Sequence, residues 1–382
     1  MADRRTRLRL WVIQAAFGDC LIVEGRAGEQ IRRILVDGGP GGTYAAALRP
    51  MLLDIGQAGG RIDAAVLSHI DNDHILGLLD LFEELRNTPP GGAVASFPPI
   101  DRLWHNSFAR AVGGADIEPR VRAALRDGGR LGAAMPAVAG VLRGVGEGDA
   151  LRAAGLALGI PLDAGFPGGQ VLVGHGDPTV VDPLRVTVVG PSKAILDRLR
   201  KQWLSWLARH PQRGVAPTAG RTAAVALDQS IPNLSSIALL VELDRRSILL
   251  TGDARSDQLL EGMTEAGVLD AGGRRHVSIL KAPHHGSVRN ITADFLRAVT
   301  ADTYVISADG RYGNPDTDAL ELIVEVAHEQ GRRIELAMTN PTESADRLLG
   351  SHPPARFGYT VRTLRAGATA LAVDARAHRR PG

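Results

Sequence analysis

Between Leu67 and Gly77 the chain reads LSHIDNDHILG, which packs His69, Asp71, Asp73 and His74 into six residues. Neutral imidazole and carboxylate are the ordinary ligands of Zn²⁺ and, with more oxygen, of Mn²⁺ or Fe. Donors at alternate positions of a loop can aim several side chains at one point. Adjacent Asp73 and His74 do not easily serve one ion, but they suit a site that holds two. Farther along, Asp253 follows Thr251-Gly252, and His284-His285 precede Gly286. The inventory is then three imidazoles (His69, His74, His285) and three carboxylates (Asp71, Asp73, Asp253). That is enough for two divalent ions, Zn or Mn, with positions left for water. Ions ~3.5–4 Å apart clamp a phosphoryl group and bring the pKa of bound water towards ~7. Taken singly, each residue has a plainer reading. His69 and Asp71 suit loop hydrogen bonds, Asp253 a turn or helix cap, and His284-His285 a satisfied pair at a strand end. Neither a G-x-S-x-G elbow nor a phosphate-cradling P-loop is present.

Such donors need rigid elements behind them. Arg7–Ala15, Leu21–Glu24 and Arg32–Val36 have strand character, with Gly18-Asp19 as a turn. Tyr44–Ile55 is helical in pattern, Ala64–Ser68 is a short apolar strand, and Leu76–Leu85 is helical again. His69–His74 therefore reads as a loop between strand and helix, where α/β proteins collect ligands. After Ser230 the regular pattern resumes. Ile237–Leu243 and Ser247–Leu250 flank a turn at Asp244–Arg246, Ser256–Glu265 is a helix, and His276–Lys281 is a strand. Tyr304–Ser307, Arg333–Met338 and Gly367–Val373 are further strands, and Asp318–Glu329 is a helix. Four strand candidates end in polar or Gly-rich loops, at Asp37-Gly38-Gly39, the histidine motif, Thr251-Gly252-Asp253 and His284-His285-Gly286. If these strands lie side by side in one direction, the four loops meet at one edge.

The 382 residues are 44% hydrophobic and 23% charged, an ordinary globular profile. The pattern fits one α/β domain spanning 1–382 with a helical or irregular insertion at about 87–222. Helices are expected there at Ile117–Arg126, Glu147–Leu158 and Ser192–Ala208, with Trp203 and Trp206 as packing residues and Leu184–Val189 as a strand. A net charge of +2 does not announce a nucleic-acid binder. The basic runs Arg4–Arg9, Arg198–Lys201 and Arg376–Arg380 read as solvated faces or frayed ends. Cys20 is the single cysteine, so no disulfide forms within the chain. Leu10–Phe17 is too short and interrupted for a secretion signal, and no stretch reaches the ~20 apolar residues that span a bilayer. A cytoplasmic protein without a membrane partner is the expectation.

Taken in order, LVDGG with Asp37, SHIDNDH, LTGD ending at Asp253 and HHGS at His284–Ser287 resemble the landmarks of the metallo-β-lactamase superfamily. The chain looks most like the metallo-hydrolase domain of the ComEC/Rec2 DNA-uptake proteins. There Gly18-Asp19-Cys20, Lys281-Ala282-Pro283 and Ser307 with Tyr312-Gly313-Asn314-Pro315 also find counterparts. The resemblance covers most of the chain outside Asn87–Thr222. It implies an αββα sandwich with metals at one edge of paired sheets, held by His69, Asp71, Asp73, His74, Asp253 and His285. It departs from the superfamily in two places. Asp71 stands where a histidine is usual, which favours Mn²⁺ relative to a three-histidine zinc site. The middle histidine is missing, and Asn233-Leu234-Ser235-Ser236 occupies its region. His105 and His175 lie in the insertion and could replace it, and each reads more simply as an ordinary histidine.

A metal-dependent phosphodiesterase or nuclease follows as the first expectation, with a metal-bound hydroxide attacking phosphorus at a dinuclear site. Asp73 would orient that water or accept its proton. Lys281 would neutralise phosphate charge, and His284 would share that task or protonate the leaving group. A nucleic acid or nucleotide is then the expected partner. The alternatives are a hydrolase of a lactone, thioester or β-lactam carbonyl, and a degenerate, non-catalytic binding or regulatory protein.

Overall fold

Alternation along the strands decides the architecture. In β1 (Thr6–Ile13), Leu8, Leu10 and Val12 share one buried core, while Ile13 belongs to another. In β2 (Leu21–Ala27) and β3 (Gln30–Val36), Leu21, Val23, Ile34 and Val36 join the first core, and Ile22 and Leu35 the second. A strand that buries both faces must be covered on both sides. The computed structural model describes residues 6–88, 96–106, 136–174, 181–198, 201 and 235–378, and only the backbone of 136–143.

The remaining strands are β4 (Ala64–Val66), β5 (Leu103–Trp104), β6 (Arg185–Gly190), β7 (Ala238–Leu243), β8 (Arg246–Leu250), β9 (Arg275–Lys281), β10 (Val299–Ile306), β11 (Ile334–Met338), β12 (Tyr359–Thr363) and β13 (Ala370–Asp374). They form a six-stranded sheet in the order β13-β1-β2-β3-β4-β5 and a seven-stranded sheet in the order β12-β11-β10-β9-β8-β7-β6. The sheets face each other across a core that draws Leu10, Val36 and Val66 from one and Leu239, Ile248, Ile279 and Val305 from the other. Helices α1 (Arg49–Gln57), α2 (Asn72–Asn87) and α3 (Pro136–Ala157) cover the outer face of the first sheet. Helices α4 (Ser256–Glu265), α5 (Ala293–Ala298), α6 (Thr317–Glu329) and α7 (Glu343–Ser351) cover the second. The result is the expected αββα arrangement. No helix among the described residues is long and apolar enough to cross a membrane.

Several expectations are corrected. The four site-bearing strands do not lie side by side in one sheet. β3 and β4 run parallel in the first sheet, and β8 and β9 run parallel in the second. Their C-terminal ends meet across the sandwich. Helix α2 starts at Asn72 rather than Leu76, because the Asp71 carbonyl accepts hydrogen bonds from His74 N (2.9 Å) and Ile75 N (3.0 Å). Asp73 and His74 therefore sit on a first helical turn whose polar residues hide it from a hydrophobic-periodicity reading. Within 87–222, β6 lies where the strand Leu184–Val189 was expected, and β5 is a further edge strand that was not. The Glu147–Leu158 helix is part of the longer α3. The helix expected at Ile117–Arg126, the second half of Ser192–Ala208 with Trp203 and Trp206, and His175 lie outside the described residues. The basic run at the N-terminus is partly engaged, with Arg7 Nε 2.7 Å and Arg9 Nη2 2.8 Å from Asp374.

Two backbone approaches fix the site end of the first sheet. A Cβ on Gly38 would overlap the backbone of Gly77 and Leu78, so the loop after β3 presses directly on α2. A Cβ on Gly18 would overlap the Asp73 carbonyl, which accepts the Asp19 N–H at 3.1 Å. Gly38→Ala is expected to lower unfolding free energy by about 1–3 kcal/mol, the usual cost of overpacking. Urea denaturation of the two proteins measures it.

Candidate metal centre

Residues from three strand ends, the first turn of α2 and the β1–β2 turn converge where the two sheets meet. His69 leaves β4, and Asp73 and His74 stand on the first turn of α2. Asp253 follows β8, and His284 and His285 follow β9. Asp19 lies in the β1–β2 turn. The Nε2 atoms of His69, His74 and His285 and Oδ1 of Asp253 are buried without a hydrogen-bond partner. Orphaned polar atoms of this kind are costly unless something else satisfies them. They point at one another. His69 Nε2 lies 3.6 Å from Asp71 Oδ2 and 3.7 Å from Asp253 Oδ2. His74 Nε2 lies 3.5 Å from Asp253 Oδ1 and 3.7 Å from Asp73 Oδ2. His285 Nε2 lies 3.2 Å from Asp73 Oδ2 and 3.6 Å from Asp253 Oδ2. Ligands bound at ~2.0–2.1 Å in a tetrahedron stand ~3.3–3.4 Å apart, so these separations fit metal coordination. Two sets of donors lie within 4.8 Å of one another, His69, His74 and Asp253 in one and Asp73, His74 and His285 in the other, with Asp71 beside His69 at the rim.

The opposite ring nitrogens are all held. His74 Nδ1 lies 2.8 Å from Asp37 Oδ2, which also accepts the Ser68 hydroxyl at 2.6 Å, and Asp37 Oδ1 accepts the Ser68 N–H at 2.7 Å. His69 Nδ1 lies 3.0 Å from the Ser68 hydroxyl. His285 Nδ1 donates to the Ser307 carbonyl at 2.9 Å, and the Ser307 hydroxyl donates to Gly18 O at 2.6 Å. Partners of this sort orient a ligating imidazole and fix its tautomer. Asn290 does the same for His284. Its Nδ2 donates to the Asp253 carbonyl (3.0 Å), so its Oδ1 faces His284 Nδ1 at 3.2 Å and that nitrogen carries the hydrogen. Asp37, His284 and His285 adopt φ of 60°, 47° and 56°. Left-handed backbone at three non-glycine residues is held by the surrounding structure and gathers at this centre.

Every residue anticipated as a metal ligand is thus in the cluster, and His284 borders it with Nε2 3.6 Å from Asp253 Oδ2. Lys281 is placed differently from the expectation. It is fully buried behind the cluster and paired with Asp19, with Nζ 3.8 Å from Asp253 Oδ1, so no face remains for a substrate phosphate. His105 takes no part. It lies buried at the end of β5, its backbone N–H bound to Asp163 Oδ1 at 2.7 Å, and shares no ligand cluster. Sequence reasoning passed over Asp19, Asp37, Asn290 and Ser307 as functional residues. Asp19, Asp37 and Ser307 lie in the quoted motifs, and their placement was the available signal. Ser236, from the segment where the missing histidine was expected, accepts the Asp253 N–H with its hydroxyl at 3.2 Å.

Residues 17–184 match the family model described as the Metallo-beta-lactamase superfamily. Over that segment, a little under half of the chain, the sequence is similar to this superfamily. The superfamily consists mostly of metallo-hydrolases and typically binds divalent metals such as Zn. Among solved structures, the metallo-beta-lactamase fold protein YhfI from Bacillus subtilis aligns over 96% of this chain and 99% of its own, at 11% identity and a TM-score of 0.38. No curated protein matches the chain.

In this site, carboxylates outnumber the fixed cations that face them. Burial opposes a charge on His285, but Asp253 and Asp19 outweigh it and hold the ring up at about 10. His74 is likewise raised well above the usual imidazole range, burial being overcome by Asp253, Asp73 and Asp37. Burial favours neutral carboxyls at Asp73 and Asp253, yet the imidazoles beside them hold both below the usual range. Protons balance the site when no other cation does, and a divalent ion would displace them. Asp37→Asn is expected to weaken Zn²⁺ or Mn²⁺ affinity by about 10–100-fold while leaving the fold intact. Calorimetric titration and circular dichroism read the two effects.

His105 gives a separate pH signature. Burial first, and Arg152 second, push it down to about 3. The unfolded chain binds its proton below ~6.5 and the folded chain does not, so this contribution is complete above that pH. It is lost at up to ~1.4 kcal/mol per pH unit between there and about 3. His105→Phe is expected to flatten this part of the stability profile, as denaturation at pH 7 and pH 5 would show.

Proposed function

We propose that this chain is a metal-dependent phosphodiesterase acting on a nucleotide or nucleic-acid strand, with two divalent ions, Zn or Mn, held by His69, Asp71, Asp73, His74, Asp253 and His285. The observation that carries the reading is the donor set itself, three carboxylates and three imidazoles in two overlapping groups, with Asp253 close to all three imidazoles. Paired ions suit in-line displacement at phosphorus, and oxygen-rich ligands suit Mn²⁺ as well as Zn²⁺. A cavity of about 330 Å³ lined by Phe17, Asn72, Asp73, His284, His285, Ala308, Tyr312 and Asn314 adjoins the cluster, a size suited to a nucleotide. Tyr312 is 72% exposed and meets Phe17 edge-on at 5.0 Å, while the Arg311 guanidinium lies 4.9 Å from the Phe17 ring. An exposed aromatic beside a cation offers a base a stacking surface.

Bound divalent ions would neutralise phosphoryl oxygens and bring a water towards ionisation. The chain's residues then have separate tasks. Asp73 Oδ2, at the cavity wall, orients that water and accepts its proton. His284 holds its Nδ1 hydrogen toward Asn290, and its Nε2 relays the proton taken from that water to the leaving group, the donor role anticipated from sequence. Asn72 and Asn314 donate to substrate oxygens. Lys281 acts through Asp19 and Asp253, holding charge balance behind the site.

Asp253→Asn is expected to lower turnover of bis-p-nitrophenyl phosphate, single-stranded DNA or RNA by ~10²–10³-fold, with metal content measured alongside. Equal activity in the two proteins would remove the proposal. Turnover of a thioester, lactone or β-lactam with none on any phosphodiester would replace it with carbonyl hydrolysis.

A further inference from the structure

A second group of metal-type donors lies at the opposite end of the seven-stranded sheet. His276 is near the start of β9, Asp302 lies on the neighbouring β10, and His378 belongs to the segment after β13. The parallel strands carry the first cluster at their C-terminal ends, so a run of seven residues at ~3.3 Å each separates the two places by roughly 20 Å. Donor atoms of the three residues lie within 4.8 Å of one another. His276 Nε2 is 3.3 Å from Asp302 Oδ1, the ligand–ligand spacing of a tetrahedral zinc site, and the two rings meet at 4.8 Å between centroids.

The far side of each imidazole is already fixed. His276 Nδ1 lies 2.9 Å from the Thr300 hydroxyl. His378 Nε2 lies 2.9 Å from the Ser247 hydroxyl and 3.4 Å from that of Ser278, which leaves Nδ1 buried without a hydrogen-bond partner. The backbone around His378 is anchored as well. Its N–H donates to Arg245 O at 2.8 Å, and the Ser278 hydroxyl donates to Arg376 O at 2.7 Å. Three donors from three separate parts of the chain, two with a supporting hydroxyl behind them, form a built arrangement rather than a loose surface cluster.

We propose that His276, Asp302 and His378 bind one transition-metal ion, Zn²⁺ or Ni²⁺, which clasps the segment 375–378 to β9 and β10. Two imidazoles and one carboxylate suit these ions better than Ca²⁺ or Mg²⁺. Arg245, Arg275 and Arg332 approach the cluster but are spent on carbonyls and Glu242. The site is independent of the phosphodiesterase reading, because it shares no residue with the first cluster.

The test uses the Asp253→Asn protein, so that the first cluster is weakened, with and without His378→Ala or His276→Gln. Zinc content after equilibration and dialysis, and the thermal midpoint with and without Zn²⁺, are measured. The expected result is one fewer zinc equivalent in each added variant, at least tenfold weaker binding, and loss of the zinc-dependent rise in midpoint. Unchanged zinc content and an unchanged rise in both added variants would overturn the proposal, whatever the activity assays show.

Discussion

One buried carboxylate organises the centre. Asp253 is within 3.5–3.7 Å of ring nitrogens of His69, His74, His284 and His285. A carboxylate taken from water at such cost persists only where opposite charge and hydrogen bonds surround it. Asp253 therefore requires both sheets to close, since His69 and His74 come from the first and His285 from the second. Ser236 and Asn290 hold its backbone in place. Remove the shared charge and the imidazoles have no common target.

Behind that charge stands a second balance. Lys281 and Asp19 form an ion pair with almost no solvent contact, and Asp19 Oδ1 also lies 3.4 Å from His285 Nδ1. Burial works against each charge, yet Lys281 is raised and Asp19 lowered because each faces the other. Pairs like this contribute little net stability but are expensive to break from one side. Their value here is positional. They tie the β1–β2 turn, the end of β9 and the ligand cluster into one charge network.

The candidate cluster was readable because alternation of acids and imidazoles after an apolar strand has few structural uses, and because four motifs fall in a fixed order. His69, Asp71, Asp73, His74, Asp253 and His285 all converge as that order implied. The αββα layering was readable for a related reason, since strands such as Leu21–Glu24 and Ile237–Leu243 are apolar on both faces. What remained hidden depends on long-range packing. Lys281 looks like a free cation in a loop-end motif, and only the proximity of Asp19, far away in sequence, turns it inward. Asp37 reads as a turn residue until His74 is seen beside it. The first turn of α2 is too polar to register as helix. β5 is only two residues long, and β12, with YTVRT half-exposed at a sheet edge, lacks the clear alternation that marks an inner strand.

The last strand has a consequence of its own. β13 leaves the second sheet and pairs with β1 at the outer edge of the first, joining Arg9–Ile13 to Ala370–Asp374. During synthesis, β1 emerges from the ribosome hundreds of residues before its partner, a delay of tens of seconds at ordinary elongation rates. Its row of unpaired N–H and C=O groups is open throughout that interval and is a natural place for a nascent chain to pair with a neighbour. Arg7 and Arg9, later neutralised by Asp374, keep that waiting edge charged and so guard it against self-association until the chain is complete.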